Sequence, residues 1–487
     1  MSPAVSPSSP PGLSHITILG GGCAGWMAAA MLAPLVAAGT RVTLIDLPAD
    51  RDLPSAAALS PGAKAWHALL GLDEHALLAA ARGGYRLGTH FTDWPAPGAE
   101  WLLPFGDYGS PVDGVPFADL WFRARAHGWP RPLDDYNLAA LAVRTGRFVR
   151  PTPDRIAMLD YGYHVDRIGY ADHLRQHAMR IGVEVLSGAV AHAERRDDGT
   201  IVALNFQAGD RVEADFFVDA SDGGELIGGF GGGDFDDWSR DFGNDRIASV
   251  TGAADSLLPP VTSVYGARAG WIQRIALQSH TGWTACFDAK DEAVALDELA
   301  AIAGGAADIS VAPLFPGRRA GPWRGNCVAI GRAAGMIEPY FADPVDLARI
   351  GLSALRDLLP RGSDMAVLAD AYNEAMAGGW EALRDLSALL TPLPASQSEA
   401  VSRAISRFSE AGRLPSTGPA SQATWLALLM GRSILPKSWS PLADTIATDR
   451  LEQNLIRLAS LFAQSAESMP SHADYVARFC AAEPQSV

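Results

Sequence analysis

The chain has 487 residues, 48% of them hydrophobic and 19% charged, with a formal net charge of −16. That composition supports a large core in one composite domain or two to three smaller ones, and it excludes a disordered chain. The negative charge excludes nucleic acid, whose phosphates would be repelled, and leaves small molecules and proteins as partners.

Residues 1–14, "MSPAVSPSSPPGLS", read as a disordered Pro/Ser-rich tail without the basic and apolar regions of a signal peptide. Ile16–Leu19 is aliphatic and β-branched and predicts a buried parallel strand. Trp26–Ala38 is rich in Ala, Met and Leu and predicts a helix ending at Gly39. "RVTLID" predicts a second strand that ends at Asp46 and closes a βαβ unit. Between first strand and helix stands Gly20-x-Gly22-x-x-Gly25. The first glycine permits a tight turn, the second lets a pyrophosphate approach the backbone, and the third lets helix and strand pack closely. Asp46, about twenty residues beyond the turn, is placed to accept hydrogen bonds from an adenosine ribose.

Residues 80–150 carry many Trp, Pro and Gly residues with little periodicity and read as an insertion that covers something. "HLRQHAMRIGVEVLSG" predicts a helix and a strand, and "IVALNFQ" and "RVEADFFVDAS" predict two more strands. "GGFGGGDF", residues 228–235, reads as a flexible loop in preference to a phosphate cradle, because no strand leads into it. "GNCVAIGRAAGMIEP", residues 325–339, predicts another strand, glycine turn and helix, and beyond about residue 375 the chain is largely helical. "RVEADFFVDAS" followed by the distant "NCVAIGRAAGMIEP" resembles the layout of flavoprotein monooxygenases, and that resemblance implies FAD in preference to NAD. Cys23, Cys286, Cys327 and Cys480 form no CxxC pair, so no metal site or disulfide framework is expected and a cytoplasmic location fits. No apolar run reaches the roughly 18 residues of a bilayer span, so no membrane association is expected.

"GGGCAGWMAAAML", "LLGLDEH", "GGYRLGTHFTDW", "YGYHVDRIGYADHLRQHA", "DFFVDASDG" and "GNCVAIGRAAGMIEP" resemble, in order, segments of the flavin-dependent tryptophan halogenases, from about residue 15 to 350. The resemblance implies an α/β FAD-binding flavoprotein-monooxygenase fold over residues 15–374. It also implies an inserted substrate module (about 80–160 and 228–320) and a helical part over 375–487. Gly20, Gly22, Cys23, Ala24, Gly25, Trp26, Asp46, Gly331 and Met336 are then the expected FAD contacts. With no second nucleotide motif, reduced FAD is expected from a separate flavin reductase, and a small aromatic molecule or an exposed indole as substrate. A homodimer is left open.

In that family a halide is oxidised beside the flavin, and the hypohalous acid crosses a tunnel to a lysine, assisted by a glutamate. Carried over, the lysine falls on Arg86, which stays protonated and cannot supply a free amine. Its fork could hold an oxyanion or carboxylate, or it is a solvated surface charge. The family's E-P-L-E-S-T-G reads Glu338-Pro339-Tyr340-Phe341-Ala342-Asp343-Pro344. Phe341 thus replaces the glutamate, cannot take a proton, and is expected to pack in a core or narrow the pocket. Asp343-Pro344 replaces the Thr-Gly pair whose N–H groups hold halide. Proline has no N–H, and a carboxylate there is expected to repel an anion. The G-E-A-T loop aligns with Ser55-Ala56-Ala57-Ala58, and W-x-W-x-I-P with "WIQRIA", where Trp271 and Ile275 are kept. Trp271 is expected as a wall between modules or as a stacking partner for substrate. Trp101, Trp121, Trp129 and Tyr136 line an aromatic pocket or belong to the core. The leading reading is an FAD-binding halogenase-family protein with substituted catalytic residues. The alternative is a non-catalytic paralogue that partners an active halogenase.

Overall fold

The computed structural model describes residues 12–47, 55–152, 156, 158–230, 235–305, 308–362, 364–391, 398–416, 418 and 420–483. The first βαβ unit is built as the residues dictate. His15–Leu19 runs parallel to Arg41–Asp46 on one side and to Phe216–Asp219 on the other. The helix between the first two strands spans Cys23–Leu32, three residues earlier than expected, and Pro34 starts a separate short turn. Proline cannot donate to the preceding helical turn, so the chain restarts there. Gly25–Leu32 are all buried, because the helices Arg167–Ile181 and Pro344–Asp357 pack against it. Such a helix needs no polar face.

The parallel sheet gains Glu184–Ser187 at one edge and Cys327–Ala329 at the other, where Trp323–Arg324 adds an antiparallel edge strand. "RVEADFFVDAS" divides into two strands, Arg211–Glu213 and Phe216–Asp219, in different sheets. The late glycine turn corrects the expected helix. Gly331–Ala333 is a single 3-10 turn followed by the short strand Gly335–Met336, and the helix starts only at Pro344. Gly335 and Pro339 interrupt what the alanines would propagate. Of the glycine-rich segment 228–235, residues 231–234 lie outside the described residues, as do residues 1–11 of the N-terminal tail.

The 80–150 region is more regular than its composition implied. Gly88–Thr92 and Glu100–Pro104 join a seven-stranded sheet with segments between residues 246 and 313. Phe117–Ala126 and Leu138–Thr145 are helices. Phe91, Trp94, Trp121 and Tyr136 share a second core with Leu386, Phe408, Trp425, Leu428 and Leu455 of the C-terminal helices. The last helix, His472–Phe479, returns to the first core through Tyr475 and Val476. A three-stranded antiparallel sheet, with Gly162–Asp166 between Ala56–Leu59 and Gly84–Arg86, positions the substituted residues.

Candidate functional site

Each glycine of the early turn has its own steric reason. A Cβ on Gly20 (φ +126°) would lie 2.4 Å from Ala220 O, and one on Gly25 1.9 Å from Gly20 O. Gly22 meets nothing within 4 Å, so it leaves open space in front of the helix that begins at Cys23. No side chain caps that helix, so its first N–H groups remain for an anion. Gly21, which the motif leaves unspecified, is pressed hardest: a Cβ would sit 1.8 Å from Asp46 Oδ1. The glycine backbone and the strand-end carboxylate are therefore packed as one surface.

That surface opens on a cavity of about 1300 Å³, lined by Gly20–Ala24, Trp26, Asp46, Ser221, Gly331, Arg332 and Val345 among others. Ordinary small-ligand pockets run to about 1,000 Å³, so the space suits a dinucleotide. Gly331 (φ +64°) brings the late turn against the early one, its Cβ direction pointing at Ala24 Cβ at 2.9 Å. Gly25 supports the turn without lining the cavity, and Met336 packs in the second core, away from the cavity wall. Burial pushes the Cys23 thiol up to about 11, so it stands protonated at the cavity edge.

Arg86 is not a surface charge; it is 6% exposed. Its cross-strand partner is Gly162, where a side chain would meet Leu59 O at 2.1 Å. The guanidinium reaches that same far strand, with NH1 at 3.3 Å from Leu59 O and 3.4 Å from Ala58 O. Nε donates to Thr262 Oγ1 at 2.9 Å and NH2 to Thr89 Oγ1 at 2.7 Å. It also lies 5.0 Å above the Phe105 ring. Burial lowers its pKa to about 10, with Asp346 and Asp343 opposing, so it stays a cation.

Asp343, where a carboxylate was expected to repel an anion, is itself held by protein donors. Its Oδ1 accepts from Arg167 NH2 at 2.8 Å and from Val345 N at 2.9 Å, and its Oδ2 accepts from Ala58 N at 3.1 Å. It is the N-cap of the Pro344–Asp357 helix, and Pro344 takes the first helical position, where a missing N–H costs nothing. One turn on, Asp346 Oδ2 accepts from Ser60 N at 2.6 Å. The two carboxylates thereby hold Ala58 N on the free edge of the Ala56–Leu59 strand and Ser60 N just beyond its end. A continuous polar chain results: Arg86 holds the carbonyl of Ala58, and Asp343 holds its N–H and Arg167.

Phe341 is partly buried and packs against both cores, so it sits at their junction. Trp271 is fully buried, donates from Nε1 to Glu338 Oε2 at 2.6 Å, and meets Tyr340 edge-on at 5.1 Å. Glu338 also accepts from Asn244 at 2.9 Å, yet burial pushes its carboxyl up to about 8. Gln273, at the second tryptophan position of the family motif, points its amide toward Pro339 O at 3.4 Å. The other aromatics belong to the second core or pack against it. Trp101 stacks on Phe91 at 4.3 Å, Trp121 donates to Arg131 O, and Trp129 donates to Tyr136 Oη at 2.8 Å. Sequence reasoning missed Arg167, Thr262 and Thr89. The signal for Arg167 was available in "HVDRIG", where Asp166 caps the helix and Arg167 opens it.

No group of three or more potential metal ligands occurs among the described residues, and none of their helices is long and apolar enough to cross a membrane. A parallel sheet, a glycine turn aimed at a dinucleotide-sized cavity and a strand-end carboxylate define a protein of the dinucleotide-binding α/β class. The tryptophan halogenase family model matches residues 15–448, and the chain belongs to that family. It is 26% identical to the tryptophan 7-halogenase KtzQ of Kutzneria sp. (strain 744) over 77% of this chain and 75% of that one. It superimposes on Xcc4156, a flavin-dependent halogenase from Xanthomonas campestris, with TM-score 0.92 and 27% identity, covering 98% of this chain and 100% of the other. For BrvH, a flavin-dependent halogenase from Brevundimonas sp. BAL3, the values are 0.89 and 28%, with 96% and 99% covered. The family uses FAD as cofactor and draws reduced flavin from a separate reductase.

Proposed function

We propose that this protein binds FAD at the cavity between Gly20 and Gly331 and acts as a flavin-dependent oxidoreductase on a small aromatic molecule or an exposed indole. In this reading the halide-to-lysine route of its relatives is lost. When bound, reduced FAD would supply the activation of dioxygen. Gly20–Ala24 and the head of the Cys23–Leu32 helix would hold its phosphates, and Asp46 its ribose.

The observation that carries the reading is the polar chain through Arg86, Ala58, Asp343 and Arg167. Three positions that differ from the family pattern are bonded to one another, directly or through one residue. Arg86 is spent on two threonines and two carbonyls and offers no free amine. Phe341 cannot accept a proton, and Asp343 spends both oxygens on protein donors.

Flavin titration of the purified protein, followed by oxygen-dependent oxidation of reduced FAD with candidate indoles and mass analysis of products, tests this. An oxygenated product at a rate above that of free reduced flavin is the expected result; a halogenated product overturns it. A second reading, a non-catalytic partner of an active halogenase, is favoured by the same substitutions taken together. It predicts FAD binding without substrate-dependent turnover.

A further inference from the structure

We propose that a chain of buried tyrosines, from Tyr170 behind the flavin cavity to Tyr161 beside Arg150, carries oxidising equivalents away from the cofactor to the surface. This is a function beyond the reading above, and it rests on that reading only in needing flavin in the cavity.

Tyr170 lies one turn after Arg167 in the Arg167–Ile181 helix, whose Arg167, Ile168 and Ala171 line the cavity. Cys23, on the same wall, donates from Sγ to Arg167 O at 3.4 Å. The Tyr170 hydroxyl and His67 Nε2 are 2.8 Å apart, and the imidazole stacks on Tyr163 with ring centroids 5.4 Å apart. Tyr163 and Tyr85 are cross-strand partners, so they share the sheet face opposite to Arg86. Tyr161 stands edge-on to Tyr163 at 5.9 Å. Three hydroxyls donate to one carboxylate: Tyr163 and Tyr161 to Glu74 Oε2 at 2.7 and 3.0 Å, and Tyr85 to Oε1 at 3.2 Å. Arg150, half exposed, reaches Glu74 Oε1 at 3.3 Å and marks the way out. Packing alone does not need these phenols. Phe148 packs in the same group without one, stacked on Tyr85 at 3.9 Å.

Burial raises the phenols of Tyr170, Tyr163 and Tyr161, so each stays protonated until it is oxidised. Loss of an electron must then go with transfer of the phenolic proton, and each of the three has an acceptor in place. Burial also lowers His67 to about 3, so its ring is neutral and can accept at Nε2. An oxygen-centred one-electron oxidant, formed where dioxygen meets reduced flavin, takes an electron from Tyr170, whose proton moves to His67. Tyr163 gives an electron to Tyr170 and its own proton to Glu74, while the first proton returns from His67 to Tyr170. The hole passes on to Tyr161 in the same way, Glu74 returning one proton to Tyr163 and taking the next. A small thiol at the surface supplies the last electron, Glu74 returns the proton to Tyr161, and the thiol's proton goes to water. One electron has then moved from thiol to oxidant, and the protein is unchanged. Trp26, an oxidisable ring on the cavity wall, is a poorer carrier, because the Arg175 guanidinium 5.7 Å from its centroid opposes a positive hole.

Blue light turns bound FAD into a one-electron oxidant, so the FAD-loaded full chain, illuminated without oxygen and frozen, tests the path by electron paramagnetic resonance. A tyrosyl signal is expected in the wild type, and its shape should change when the protein is grown on ring-deuterated tyrosine. Tyr170→Phe and Tyr163→Phe should bind FAD as the wild type does and lose most of the signal, because a hole left near the flavin recombines. A signal unmoved by deuteration, or equal in wild type and both variants, overturns the proposal. Should the variants fail to fold, deuteration of the wild type decides between a tyrosine path and another carrier. Loaded protein without the radical overturns this proposal alone, whereas a chain that takes up no FAD overturns the proposed function with it.

Discussion

Replacing Arg86 by lysine keeps the charge and restores the family's residue type, so it separates a brace from a free cation. Arg86 places three nitrogens at separate points: Nε on Thr262, NH2 on Thr89, and NH1 between two carbonyls. A lysine ammonium has three donors on one centre and cannot span that spread. The contacts at 2.9 and 2.7 Å are well formed, whereas those at 3.3 and 3.4 Å are long and count for less. Losing one to two charge-assisted bonds at about 1.5–3 kcal/mol each gives a destabilisation of about 2–5 kcal/mol. An unfolding entropy of about 2.1 cal/mol/K per residue makes about 1 kcal/mol/K for 487 residues, so the melting temperature should drop by about 2–5 °C. Differential scanning fluorimetry reads this directly. Mass spectrometry with a flavin reductase, bromide and tryptophan or indole should find no halogenated product, because Phe341 and Asp343 remain. An unchanged melting temperature would refute the brace, and a brominated product would refute the argument that the remaining substitutions block halogenation.

Gly21→Ala should weaken FAD binding by at least tenfold in calorimetric titration, since its Cβ would occupy space 1.8 Å from Asp46 Oδ1; an unchanged affinity would remove Asp46 from the site. FMN should bind more weakly than FAD to the wild type, because it lacks the adenosine that Asp46 would hold. Glu338 keeps a proton in the folded state up to about pH 8 that an unfolded chain releases near 4.5, so its contribution to stability falls as pH rises through that window. Glu338→Gln should flatten that slope in denaturant midpoints measured from pH 5 to 8, and a slope unchanged by the substitution would show that other groups set it. His472 donates from Nδ1 to Leu258 O and accepts at Nε2 from Tyr85 N, and burial lowers its pKa to about 4. Its contribution is complete above the unfolded value near 6.5 and is lost as pH falls toward 4, so His472→Ala should reduce the loss of stability on acidification across that range.

The first βαβ unit and its glycine turn were legible because their logic is local. Ile16–Leu19, the glycine turn and Asp46 fall within about thirty residues, and each follows from chain geometry at short range. The late turn was legible as a turn and not as a strand, because helix propensity in "RAAGM" is overridden by Gly335 pairing with Arg318 of a distant strand. Arg86 read equally well as a surface charge, since nothing adjacent in sequence shows that Thr262 would close over it. The partner of Asp343 was hidden for the same reason: Arg167 lies 176 residues away. Phe341 was readable as a packing residue, but that it touches both cores depends on elements folded from both ends of the chain.

The second core joins Phe91–Tyr136 and a middle set from Ile247 to Tyr340 to Leu386–Ala459, so its first and last parts leave the ribosome roughly 300 residues apart. At about 5–20 residues per second, Trp94, Trp121 and their neighbours wait on the order of 15–60 s for the C-terminal helices among their packing partners. During that interval one of the most aromatic parts of the chain has no C-terminal helices to cover it. Aggregation on the ribosome, and the yield on expression, should therefore respond more to translation speed and chaperone supply than to changes around the flavin cavity.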